Sequence, residues 1–139
     1  MRVENLQRHH FSLLELQERQ SFFDELMHDS NYKDFLVNSS AYSLVDDLNC
    51  YGMAGVIDMG FGRGQAWSLF SKNAGKHMVR ITRAVKDYLN SVDYNRIEMH
   101  VEKDFDEARR WAKMLGFEYE SEMPQFLNGK DYYMFVRIK

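Results

Sequence analysis

The chain has 139 residues, one domain's length, and such a chain buries about 68–70% of its unfolded surface without disulfides or metals. Hydrophobic residues make up 45% and charged residues 28%, a balance that excludes a disordered chain. Its 18 basic and 21 acidic residues leave a net charge of −3, which excludes the basic footprint of a general nucleic-acid binder.

Arg2–Asn5 reads as a short edge strand. From about His9 to His28, apolar faces built on Phe11, Leu14, Phe22 and Leu26 predict helix. The spacing breaks near Gln17–Gln20, so two short helices fit as well as one. Asp29-Ser30-Asn31 reads as a stop or turn. Ala41–Val45 and Tyr51–Met59 predict strands joined by a hairpin turn over Asp46–Asn49. Gly60–Gly64 punctuates, and Gln65–Phe70 continues an antiparallel meander.

Lys76–Leu89 predicts the clearest helix, with Met78, Ile81, Val85 and Tyr88 at three- and four-residue steps. Asn95–Val101 alternates as a strand, with Ile97, Met99 and Val101 opposite Glu98 and His100. A helix from Asp104 to Leu115 buries Phe105, Ala108, Trp111, Ala112 and Leu115. Asp104 reads as its N-cap with Glu107 completing a capping box, and Gly116 as its C′ stop. Phe117–Glu120 and Tyr132–Ile138 predict strands joined by a loop holding Pro124 and Asn128-Gly129. The strand–helix–strand unit from Trp67 to Val101 is long enough for a right-handed crossover, which makes its strands parallel neighbours. The expected fold is one α+β domain over residues 1–139, with a mixed, mostly antiparallel twisted sheet flanked by helices.

That order, and Lys113-Met114-Leu115-Gly116-Phe117, resemble the GNAT superfamily of N-acetyltransferases over nearly the whole chain. The resemblance implies acetyl-CoA as cofactor and transfer of its acetyl group to a primary amine, on a small molecule or a protein. It places the pantetheine arm along Trp67, Leu69 and Phe70. It places the pyrophosphate on the loop Lys72-Asn73-Ala74-Gly75-Lys76-His77, where amides and a helix dipole make an anion site. Gly75 matches the central glycine of the family loop; Lys72 stands for Gln or Arg, and His77 for a small residue. In the next helix Ala108, Gly116 and Phe117 match, while Phe105 stands for Asn and Ala112 for the Tyr that protonates the thiolate. Lys72, Lys76, Arg80 and Arg83 concentrate positive charge on the crossover helix and its leading loop, either as an anion-attracting patch or as a solvated face. Ala66–Lys72, the basic helix and Arg110–Gly116 are also similar to the small GNAT-like internal virion protein of short-tailed bacteriophages. That similarity implies an alternative: a non-catalytic virion component or a binder of a host protein.

Within the resemblance, Glu98 and His100 border the acceptor amine, where either can take its proton or simply line a polar groove. Tyr119, Tyr132 and Tyr133 fall near the final hairpin, and Tyr119 is the candidate general acid among them. Gly60-Phe61-Gly62-Arg63-Gly64 lacks the third glycine of a dinucleotide loop and reads as a hairpin tip. No His, Cys or carboxylate spacing suggests a metal site. The lone Cys50 forms no internal disulfide and fits a reducing, cytoplasmic setting. No apolar run reaches the roughly 18 residues of a membrane span, and no signal peptide is read at Met1–Glu4. The oligomeric state is left open.

Overall fold

A computed structural model describes the backbone of residues 1–139 and all side chains except those of Arg19, Ser21, Phe22, Leu26 and Met27. The predicted apolar faces at Phe22 and Leu26 therefore lie outside the described residues. The chain runs β1 (Arg2–Asn5), α1 (His10–Leu13), a 3-10 turn (Glu18–Phe23), α2 (Asp24–Met27) and α3 (Ser30–Val37). The meander follows as β2 (Ser40–Val45), β3 (Cys50–Gly60) and β4 (Arg63–Phe70). A 3-10 turn (Gly75–His77) leads into α4 (Met78–Ser91), then β5 (Arg96–Glu102), α5 (Asp106–Met114), β6 (Glu118–Leu127) and β7 (Lys130–Ile138). No helix is long and apolar enough to cross a membrane among the described residues.

The strands form one sheet of seven in the order β1-β2-β3-β4-β5-β7-β6. Every neighbouring pair is antiparallel except β4 and β5, the crossover pair. Strand alternation sends the two sheet faces into separate cores. Leu69 and Met53 pack with Leu6, Phe11 and Leu36 of the N-terminal segments. Ile97, Val101 and Phe135 pack with Leu89, Ala112 and Leu115 of α4 and α5.

The parallel ladder between β4 and β5 covers only Arg63↔Arg96, Gly64↔Ile97 and Gln65↔Glu98. Beyond those pairs the strands part and form a V. Its vertex is tight: a Cβ on Gly64 would meet Val56 Cγ1 at 2.5 Å and the Tyr94 ring at 3.2 Å. Any larger residue there would have to displace the Val56 and Tyr94 side chains.

Four local readings are corrected. The stretch over His9–His28 is divided, as the two-helix reading allowed, but it breaks at Leu14–Leu16 rather than near Gln17–Gln20, because Leu14 and Leu16 make isolated bridges with Cys50 and Ser71. Asp29 does not stop a helix but starts α3, its side chain accepting from the Tyr32 amide at 2.9 Å. Asp and Ser favour turns and N-caps for one reason, a side-chain oxygen that satisfies a nearby amide, so sequence alone read the wrong one. Helix α5 begins after Phe105, which has no capping oxygen, so the expected Asp104 capping box gives way to Asp106 and Glu107 facing the helix dipole. Its end matches expectation: Gly116, at φ 93°, and Phe117 close a Schellman motif on Lys113 and Ala112.

The expected loop around Pro124 is instead part of a long hairpin. Asn128 and Gly129 take φ 53° and 71° at its tip, as a type I′ turn requires. Pro124 is accommodated because the ladder register shifts between Met123 and Leu127. A bulge frees its missing N–H from pairing. Gln125, at φ 48°, turns the chain there, and its amide donates to Asp131 Oδ1 at 2.9 Å.

Candidate functional site

The V opens into a cleft of about 1010 Å³ that reaches both faces of the sheet. Of the predicted coenzyme residues, Trp67, Leu69, Phe70, Lys72, Ala74 and Gly75 line it, whereas Asn73, Lys76 and His77 do not. His77 instead packs on the Tyr51 ring, with centroids 4.3 Å apart. A bulky residue is thus tolerated at the family's small position because its side chain turns out of the cleft.

In the loop before α4, most amides are used internally. Lys72 N–H donates to Glu15 O at 2.9 Å, Asn73 N–H to Ser71 Oγ at 3.0 Å, and Ala74 N–H to Ser71 O at 3.0 Å. The Gly75 and Lys76 amides find no such partner among the described residues. A Cβ on Gly75 would meet nothing within 4 Å, and its φ is ordinary, so neither packing nor backbone strain calls for glycine there. The space it leaves belongs to the cleft. Two open amides, that space and Lys72 are groups that could hold an anion. The Lys72 ammonium is meanwhile paired with Glu15 Oε2 at 2.8 Å, and both side chains are exposed. The expected basic patch divides: Arg80 donates to Met1 O, and Arg80 and Arg83 line a separate hollow of about 190 Å³ against the N-terminus.

The parting of the strands leaves the outer edge of β4 without a ladder partner. Gln20 takes it: its Nε2 donates to Ser68 O at 3.0 Å, and its Oε1 accepts from Phe70 N–H at 2.9 Å. Gln17 N–H donates to Phe70 O at 2.9 Å, and its side chain donates to Gln20 Oε1 at 2.8 Å.

The two strand candidates Glu98 and His100 share a face but not an environment. Glu98 is 7% exposed and does not line the cleft. It accepts from Arg63 Nε at 2.6 Å and from Arg96 Nε at 3.1 Å, and Arg96 forks onto Glu120 as well. These residues sit at the paired end of β4 and β5, so Glu98 clamps the vertex. Burial pushes its carboxyl up, but the hydrogen bonds and charges of Arg63 and Arg96 outweigh burial and hold it below its ordinary value. A depressed carboxyl contributes stability above its unfolded value, and the contribution is lost as pH falls through the folded value. Glu98→Gln is therefore expected to cost about 1–2 kcal/mol at neutral pH, since both arginines keep solvent contact. The melting-temperature difference from the wild type should shrink as pH drops below about 4.

His100 lies past the vertex and lines the cleft. The Gln65 amide stands 3.3 Å from its Nδ1, and the Phe126 ring covers it at 4.7 Å. Burial pushes its pKa below the ordinary value; the Arg63 charge acts in the same direction and the Glu98 charge against it. The imidazole is neutral at physiological pH. Phe126 reaches it from the bulge after Pro124 and also packs on Tyr132 at 5.6 Å. Bulges re-aim side chains in this way.

Tyr119 is 54% exposed, packs edge-on against Tyr133 and Phe135, and does not line the cleft. At the position of the family's acid, Ala112 is fully buried. Sequence reasoning missed Glu102, which lines the cleft on the same face as Glu98 and His100 and stands 3.8 Å from Lys130 Nζ. Carrying the alternation one step past Val101 finds it. No sequence signal marked Gln20, Gln65 or Phe126.

No family model matches the chain, and no curated protein does. Solved structures do match. The ribosomal-protein-alanine N-acetyltransferase from Brucella melitensis superposes with a TM-score of 0.78 at 12% identity, covering 100% of both chains. This is the GNAT acetyltransferase fold. A chimera of the spermidine N-acetyltransferase SpeG from Vibrio cholerae and hSSAT gives a TM-score of 0.70 at 18% identity, over 99% of this chain and 96% of that one. The ribosomal-protein-S5-alanine acetyltransferase from Vibrio fischeri gives 0.66 at 15%, over 98% and 91%. The expected architecture is therefore correct. At these identities the likeness carries the GNAT fold, and the chemistry has to be argued from the cleft.

Proposed function

We propose that the protein transfers an acetyl group from acetyl-CoA to a primary amine. The observation that carries this reading is the V-shaped parting of β4 and β5, ending at the open amides and empty Cβ position of Gly75. These residues fit the coenzyme: Gly75, Lys76 and Lys72 would hold the pyrophosphate, and the wall from Trp67 to Phe70 would follow the pantetheine arm. The coenzyme supplies an activated thioester. The chain's own residues bind, orient and deprotonate.

An amine arrives as ammonium and must lose a proton before it can attack. Glu98 is held by two arginines and lies off the cleft, so His100 takes the role of base. An amide presents donor or acceptor by a half-turn, so Gln65 can hold the proton on Nδ1 and leave Nε2 to accept. Glu102, two residues along the same face, supplies the charge that attracts the ammonium. Much of the remaining catalysis is positioning, because placing amine against thioester removes the entropy of encounter. No step needs Tyr119, since a thiol is acidic enough to leave as thiolate and take its proton from water.

The acceptor wall names a class of amine. Phe23, Tyr32, Phe35, Phe126 and Tyr132 line it, with Glu102 as the carboxylate on the face of His100. Glu102 and Glu107 both line the cleft, but rings dominate this wall, which suits an amine on an apolar body over a polyamine whose further charges would lie against the rings. Thiol release from acetyl-CoA with phenethylamine, spermidine and an alanine-initiated peptide tests this. Turnover of phenethylamine is expected to exceed that of spermidine by about tenfold or more. Bound coenzyme with no turnover of any amine overturns the catalytic reading. It would leave a non-catalytic member of the fold, such as a virion component, a reading that Ala112 at the acid position favours.

A further inference from the structure

We infer that Gln20 is a gate that holds the cleft shut along β4 until ligand amides replace its side chain. The inference rests on the coenzyme reading above and names how that site is regulated. Its ground is the hydrogen bonding at the parted edge. Ser68 O and Phe70 N–H belong to alternate residues of one strand and point the same way, in the plane of the sheet and away from β3 into the V. Buried backbone groups must be paired, and where β5 has turned away the protein has to find another partner.

Gln20 is that partner, and the chemistry of its side chain matters. A primary amide offers one N–H donor and one carbonyl acceptor, and here each is used on the strand, at 3.0 and 2.9 Å. A ligand running along this edge would meet the same two atoms with the N–H of one amide and the C=O of the next, since a trans amide points its own N–H and C=O opposite ways. The same edge therefore cannot serve both.

The gate is joined to the proposed anion cradle. Leu14 bridges Cys50 and Leu16 bridges Ser71, so the segment lies across the ends of β3 and β4. Glu15 then grips Lys72 twice, by its carbonyl on the Lys72 amide and by its carboxylate on the ammonium. A phosphate at Gly75 competes with Glu15 for Lys72 while successive amides compete with Gln20 for Ser68 and Phe70. Both ends of a coenzyme thus act to release one segment. Gln17, Gln20 and Phe23 also line the cleft, so release reshapes the acceptor wall.

The test is calorimetric titration of CoA and acetyl-CoA into the wild type, Gln20→Ala and Gln20→Met, with hydrogen exchange of the Phe70 amide measured in the free proteins. Gln20→Met keeps the length of the side chain and removes the amide, which guards against simple loss of packing. Both variants are expected to bind about tenfold more tightly, since two hydrogen bonds no longer oppose the ligand. The Phe70 amide should exchange faster in the free variants and slow again with CoA. Equal affinity in all three proteins overturns the gate while leaving the coenzyme reading standing. Weaker binding by the variants also overturns it, making Gln20 a ligand contact. No binding by any of the three overturns the coenzyme reading and the gate with it.

Discussion

Replacing His100 by glutamine is expected to lower kcat/KM for the amine by about 10²–10⁴-fold, the usual contribution of a positioned general base. The loss should fall on kcat, because glutamine keeps hydrogen-bonding capacity beside Gln65 and below the Phe126 ring. Affinity for acetyl-CoA should be unchanged. The pH profile separates this from a structural effect. Burial holds the His100 pKa below its ordinary value, so the imidazole stays neutral and active through pH 7 and loses function only in more acid solution. The wild type should therefore show an acid limb in kcat/KM that lies below about pH 6.5. His100→Gln should lack that limb. Retention of the limb in the variant would move the base elsewhere. Glu98→Gln is the contrasting control: it should lower stability with little change in kcat, because its carboxylate ties Arg63 to Arg96 at the vertex and does not reach the cleft.

The second large effect is expected from Gly75→Glu. A Cβ at Gly75 stands in open space and the backbone there is unstrained, so stability should change little. A carboxylate facing a pyrophosphate, by contrast, is a like-charge contact worth several kcal/mol, or about 10²–10³-fold in affinity. The combination of an intact melting temperature and lost binding is specific to a ligand cradle. A residue needed only for folding would show the reverse.

The fold was largely legible because its signals are local. The alternation of Ile97, Met99 and Val101, the helical stripe of Met78, Ile81 and Val85, and the Gly116 stop each follow from neighbours a few residues away. The crossover rule then set β4 beside β5. What escaped was set by non-local geometry. Glu98 and His100 look alike in sequence, two steps apart on one face. They differ because Arg63, at the paired end of β4, reaches Glu98, whereas His100 lies two residues past the last paired residue and meets the neutral Gln65 from that strand. Gln20 sits in an irregular stretch with no periodic signal, and its role exists only because β5 leaves the β4 edge open. Phe126 arrives over His100 through a bulge at Pro124 that local reading took for a loop. Asp104 shows the opposite failure: a strong local capping pattern was overridden when α5 began two residues later.

The central claim is that the parted strands and the Gly75 cradle hold a coenzyme. Calorimetric titration of acetyl-CoA into the wild type and Gly75→Glu, at low and high salt, tests it most directly. The account predicts saturable one-to-one binding by the wild type that weakens with salt, as expected when Lys72 faces phosphate, and binding reduced by about 10²–10³-fold in the variant. No heat of binding with wild-type protein at millimolar acetyl-CoA, or equal binding by the two proteins, would contradict it.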